Sequence, residues 1–190
     1  MHPDQQAQEQ RPLLLVDVDG VLNPWLARRC PDGYGEYSFF HGERVLLSPG
    51  HGAMLMSLTP AFDLIWATAW EQRANMYIAP VLGLPELPVI EFPLTEPGLS
   101  FRKLPAVIEA VGERPCAWID DEHYLEHHMW ARNRGVPTLL VDIDPAIGLT
   151  AAIVAELARW ADTLSRPLSA GFPAELGIAA CAQTVVCRAY

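Results

Sequence analysis

Short apolar runs alternate along the chain with longer stretches in which apolar positions recur every three or four residues. Leu13 to Val18 is a nearly continuous apolar run with acid at its end, a pattern that suits a strand buried on both faces. Asp63 to Thr68, Cys116 to Ile119 and Val136 to Val141 read as further strands, and Pro88 to Phe92 as another short one. Helical signals lie between them. Pro49 to Leu58 follows Ser48, a candidate cap with proline in the first position. Glu71 to Leu82 ends at Gly83. A third helix, with Ser100 as cap, carries Leu104, Val107, Ile108 and Val111 at i, i+3, i+4 and i+7. A fourth runs from about Glu122 to Asn133 and stops at Gly135. The last spans Ala151 to about Leu164, with Ile153, Val154, Leu157, Trp160 and Leu164 on its apolar side. Tyr37-Ser38-Phe39-Phe40 and Arg44-Val45-Leu46-Leu47 flank Gly42 as the arms of a hairpin.

This alternation predicts an α/β domain with a mostly parallel, five-stranded sheet and a small hairpin flap after the first strand. Composition agrees with a packed core: 51% of the 190 residues are apolar, and no run approaches the roughly 20 residues that cross a bilayer. The polar start, Met1 to Gln10, has neither basic residues nor an apolar stretch, so a soluble cytoplasmic protein without membrane contact is expected. Cys30, Cys116, Cys181 and Cys187 make no C-x-x-C pair, and Cys116 reads as a small core residue. A net charge of −10 disfavours extended nucleic-acid contact but permits recognition of a nucleotide or a strand end.

Ligands of open parallel sheets bind beyond the carboxyl ends of the strands. Three predicted strands end there in reactive side chains: Asp17 and Asp19, Thr68, and Asp120 with Asp121. Asp17 and Asp19 are two apart, so along an extended strand they point the same way. Two carboxylates on one side repel unless a proton or a cation intervenes, and Mg2+ with oxygen ligands meets that need. Gly20 then lets the chain turn sharply. An Asp-Gly turn after a buried strand is the plainer alternative.

At this point a resemblance becomes specific. Leu13-Leu14-Leu15-Val16-Asp17-Val18-Asp19-Gly20-Val21-Leu22-Asn23 resembles the first motif of the haloacid dehalogenase-like (HAD) superfamily. Thr68 after Leu64-Ile65-Trp66-Ala67 is similar to its second motif, Lys103 to its third and Trp118-Ile119-Asp120-Asp121 to its fourth. Asp17-Val18-Asp19-Gly20-Val21-Leu22-Asn23-Pro24 is also similar to the HAD domains associated with RNA-repair proteins. The resemblance implies a Rossmann-like three-layer sandwich over 11–164, with 24–48 as flap or minimal cap and 165–190 as a tail of unassigned role. It also implies a Mg2+-dependent phosphomonoester hydrolase. Asp17 would attack phosphorus and form an aspartyl-phosphate. Asp19 would protonate the leaving oxygen and then deprotonate water. Thr68 and Lys103 would bind the phosphoryl group. Asp17, the Asp19 carbonyl and Asp121 would hold the cation, with Asp120 close by as a water-mediated ligand or an orienter of Lys103.

Lys103 carries its own physical argument. A cation at the third position of a helix is mildly unfavourable, and a bound phosphate reverses the sign of that effect. Arg102 is the alternative cation, and a solvated lysine the bland one. His123, His127 and His128 have a spacing that a transition metal could use, or they form an ordinary polar face. Trp25, Tyr34, Tyr37, Phe39 and Trp70 either stack on a base or pack the core and hairpin. The stretches 23–62 and 69–100 must also supply core elements, which leaves no room for a large cap. The expected substrate is a phosphorylated small molecule, a nucleotide or a nucleic-acid end. A phosphotransferase or phosphomutase, and a non-catalytic phosphate-binding or regulatory domain, are the alternatives.

Overall fold

The computed structural model describes residues 11–39, 42, 44–92 and 103–165. Four parallel strands form the central sheet, in the order β4-β1-β5-β6: β1 (Leu13–Val16), β4 (Asp63–Trp66), β5 (Cys116–Asp120) and β6 (Thr138–Asp142). Leu13 pairs with Asp63 on one side and with Cys116 on the other, so β1 is central and takes ladder bonds from both flanks. Cys116 pairs with Thr138, and Asp120 with Asp142. Among the described residues no fifth strand joins this sheet. Residues 88–92 make a single parallel bridge, Trp66 with Val89, in which Trp66 donates to Pro88 and accepts from Ile90. Pro88 has no N–H for a ladder, and the Phe92 amide donates to Glu71 rather than to a strand.

The two faces of β1 divide its side chains as a period of two requires. Leu14 and Val16 pack in the larger cluster, together with Leu55 and Leu58 of α1 (Pro49–Leu58), Ala79 and Leu82 of α2 (Ala79–Leu82), and Leu157 and Ala161 of α5 (Ala151–Ser165). Leu13 and Leu15 pack on the other side with Val107 and Val111 of α3 (Leu104–Val111), and Trp130 of α4 (Leu125–Asn133) covers them. Helices therefore lie on both faces of the sheet, which is the three-layer α/β sandwich. Ser48 accepts from the Gly50 amide and starts α1.

The hairpin forms from β2 (Gly35–Tyr37) and β3 (Val45–Leu47), antiparallel, with Tyr37 opposite Val45. Gly42 has φ +78°, as a tight turn needs; Phe40, His41 and Glu43 lie outside the described residues. Several boundaries differ from the sequence reading. The helix expected from Glu71 begins as a π-helical segment at Ala74–Ile78 before α2, because residues 68–71 turn tightly and Glu71 sits at φ 48°. The helix expected from Glu122 begins at Leu125. The apolar stripe of α3 is narrower than expected, since Ile108 is 43% exposed. Ser100 and Arg102 lie outside the described residues, as do Cys181, Cys187 and the tail from 166. Among the described residues no helix is long and apolar enough to cross a membrane.

Candidate active site

The carboxyl ends of β1, β4 and β5 bring Asp17, Thr68, Asp120 and Asp121 to one edge of the sheet. The ladder runs one step past β1: Asp17 donates its amide to the Ile119 carbonyl, and Ala67 donates to that of Val16. Asp17 is 5% exposed, Asp120 1% and Thr68 not at all. Lys103 reaches them from the start of α3. Its Nζ donates to Asp17 Oδ2 at 2.6 Å and to Asp120 Oδ2 at 2.7 Å. It stands one residue ahead of Leu104 rather than at the third helical position expected from a Ser100 cap. An open cleft of about 630 Å3 lies over Asp17, Lys103, Asp120 and Asp121, lined also by Asp19, Trp25 and Tyr124, with Thr68 buried behind it.

Burial pushes the Asp17 carboxyl up to about 7. Lys103 opposes that rise, and the neighbouring Asp120 adds to it. Burial acts against the Lys103 charge too, but Asp17 and Asp120 outweigh it and hold the ammonium above its ordinary range. The Asp121 carboxyl is raised by burial, against the hydrogen bond it accepts from Trp25.

The two acids of the fourth motif differ in what they hold. Asp120 Oδ2 accepts from Lys103 and from Trp118 Nε1 at 3.1 Å, and its Oδ1 accepts the Glu122 amide at 3.0 Å. Asp121 Oδ2 accepts Trp25 Nε1 at 3.2 Å. Gly20, at φ +76°, passes so close to Asp121 that a Cβ there would overlap its carboxyl. Oxygens of Asp17, Asp120 and Asp121 all lie within 4.8 Å of one another. Three carboxylates face one ammonium, and all the donors are oxygen, a set that fits a hard divalent cation.

The Asp19 carboxyl lies outside this trio. The chain turns at Asp19, which bridges to Asn23. Asp19 Oδ1 accepts Asn23 Nδ2 at 2.7 Å, and Oδ2 accepts Trp70 Nε1 at 2.8 Å. Asp17 and Asp19 nevertheless line the same cleft, as an i, i+2 pair after a strand should.

The aromatic residues divide between packing and the cleft. Tyr34 bonds His51 at 2.9 Å, Tyr37 stacks on Phe39, and Phe39 meets Trp70 edge-on. Trp25 is 52% exposed and faces the cleft. The histidines are not grouped as a metal site among the described residues. His123 bonds Asp142 at 2.7 Å, and His127 accepts the Tyr124 amide at the start of α4. Sequence reasoning missed Tyr124 and the part played by Asn23. Asn23 had a signal, as a polar residue closing the apolar pair Val21-Leu22 and destined for burial.

A family model described as the HAD domain in Swiss Army Knife RNA repair proteins matches residues 13–154. No curated protein matches the chain significantly.

Proposed function

The chain belongs to the family of HAD domains in Swiss Army Knife RNA repair proteins, and from that premise we propose that it is a Mg2+-dependent phosphomonoester hydrolase acting through Asp17. Membership supports a phosphatase-type hydrolase in general terms. The observation that carries the finer reading is the meeting of Asp17 with Lys103, Asp120 and Asp121 at the carboxyl edge of the sheet.

In the proposed reaction an Asp17 oxygen attacks phosphorus, and the bond from phosphorus to the leaving oxygen breaks with its electron pair on that oxygen. Asp19 gives that oxygen a proton. Water then attacks the aspartyl-phosphate, Asp19 takes the water's proton, and the bond to Asp17 breaks to release phosphate. Lys103 and Thr68 bind phosphoryl oxygens, with Lys103 exchanging part of its present bonding for the substrate. Asp17, Asp121 and the Asp19 carbonyl would hold Mg2+, with Asp120 fixed beside them by Lys103. When bound, the cation offsets the charge of the carboxylates and of the phosphoryl group.

The cleft is open, its rim carries Trp25 and Tyr124, and acidic Glu122 and Glu126 line it as well. An aromatic rim suits a terminal nucleotide, whose base can stack, and the acidic wall disfavours a long polyanion laid across it. The substrates proposed are a phosphorylated polynucleotide end, a nucleotide or another small phosphomonoester.

The test is phosphate release from an aryl phosphate and from a panel with nucleotides and 3′- and 5′-phosphorylated oligonucleotides. Release should require Mg2+ and vanish in Asp17→Asn. Turnover that survives Asp17→Asn or EDTA sinks the mechanism, and silence across the panel favours a non-catalytic phosphate-binding domain.

A further inference from the structure

We propose that Asn23 and Trp70 are positioning residues for Asp19, and that through them the hairpin flap sets where the Asp19 carboxyl stands. This rests on the reading of Asp19 as proton donor to the leaving oxygen. Each oxygen of that carboxyl takes one N–H: Asn23 Nδ2 on Oδ1 at 2.7 Å and Trp70 Nε1 on Oδ2 at 2.8 Å. Asp19 itself is only partly buried, whereas Asn23 is 3% exposed and Trp70 9%. The less buried partner is thus held by two more deeply buried ones.

Both buried partners are lodged against the flap. Asn23 Oδ1 accepts the Leu46 amide of β3 at 2.8 Å. An amide N–H can only donate, so the Asn23 oxygen must face Leu46 and its NH2 must face Asp19. The Trp70 ring meets Phe39 edge-on with centroids 6.1 Å apart, and Phe39 stacks on Tyr37 of β2 at 5.8 Å. One arm of the hairpin therefore orients Asn23, and the other braces Trp70. A carboxylate oxygen has two lone-pair sites. One N–H on each oxygen leaves the second site on each for the proton in transfer.

The consequence is selective. As the bond from phosphorus to the leaving oxygen breaks, an alkoxide needs the Asp19 proton, whereas 4-nitrophenolate leaves with little help. Misplacing Asp19 should therefore slow alkyl esters more than aryl esters.

The experiment measures kcat/KM with Mg2+ for propyl phosphate and 4-nitrophenyl phosphate in the full chain, Trp70→Phe, Asn23→Asp and Asp19→Asn. Trp70→Phe keeps the ring against Phe39 and removes the N–H. Asn23→Asp keeps the acceptor for Leu46 and removes the donor. In both, the propyl ester should lose at least about tenfold more than the aryl ester. The ratio is taken within one preparation, so it does not depend on the fraction folded. Equal losses on both esters, or none, while Asp19→Asn discriminates, overturn the positioning role alone. If Asp19→Asn fails to discriminate, the reading of Asp19 as proton donor is overturned and this inference with it.

Discussion

Lys103 Nζ stands 2.6 Å from Asp17 Oδ2, with the two side chains 16% and 7% exposed. Burial alone would neutralise either group, and the pairing keeps the lysine charged beside its acid. Lys103→Met removes that charge and leaves Asp17 facing Asp120 without a shared cation. Turnover of 4-nitrophenyl phosphate should fall at least about 100-fold. Stability should fall by about 3 kcal/mol, the order seen when one partner of a buried pair is lost. Urea unfolding and steady-state kinetics check the two halves separately.

Gly20→Ala should disturb the site without replacing a reactive group. The new methyl overlaps the Asp121 carboxyl, and the backbone at φ +76° is one that L side chains rarely adopt. A loss of about 1–3 kcal/mol is expected. It should come with a higher Mg2+ requirement, because Asp121 must move. Thermal unfolding and a Mg2+ titration of activity measure both. An unchanged Mg2+ requirement would show that Asp121 can shift without consequence.

Asp120 and Asp121 should fail differently. Asp121→Asn should raise the Mg2+ concentration for half-maximal activity by at least about tenfold. Asp120→Asn replaces one of the two carboxylates that fix Lys103 with a neutral amide, so it should lower kcat more than it shifts the Mg2+ midpoint. Metal titrations of the two variants side by side decide this, and the reverse order would reassign the ligand.

His51 should make the fold sensitive to mild acid. It is 3% exposed, and its Nε2 lies 3.0 Å from the Leu149 carbonyl. Burial lowers its pKa below the ordinary 6.5, more than its backbone hydrogen bonds raise it. Below pH 6.5 the unfolded chain takes up a proton that the folded chain resists, so stability is lost as pH falls from there toward the folded value. The melting temperature should therefore drop more steeply between pH 7.5 and 5.5 in the natural chain than in His51→Gln. Parallel slopes would remove His51 from the account.

Much of this arrangement was legible from the residues alone. Unbroken apolarity at Leu13 to Val16 marks a strand buried on both faces, and acids placed after such strands mark the edge where they meet. The fold class and the family resemblance follow from that order; the structure bears out the first and the family model the second. The fifth strand was over-read, since Val89-Ile90 has strand-like side chains while the Phe92 amide turns to Glu71 and the ladder stays at one bridge. The partners of Asp19 were hidden for another reason. Asn23 and Trp70 reach its carboxyl only through the turns at 19–23 and 68–71, which periodicity does not register. Tyr124 was invisible because its place on the cleft rim depends on the fold around it and leaves no trace in periodicity.

The hydrogen bond from the Asp17 amide to Ile119 has one further consequence. Asp17 follows β1 and Asp120 ends its neighbour β5, strands whose separation, about 4.8 Å, is a constant of backbone pairing. The spacing of the acids is thus ruled by the main chain rather than by side-chain contacts. Either helical layer can drift in composition, or the loops grow, and this gauge stays the same length.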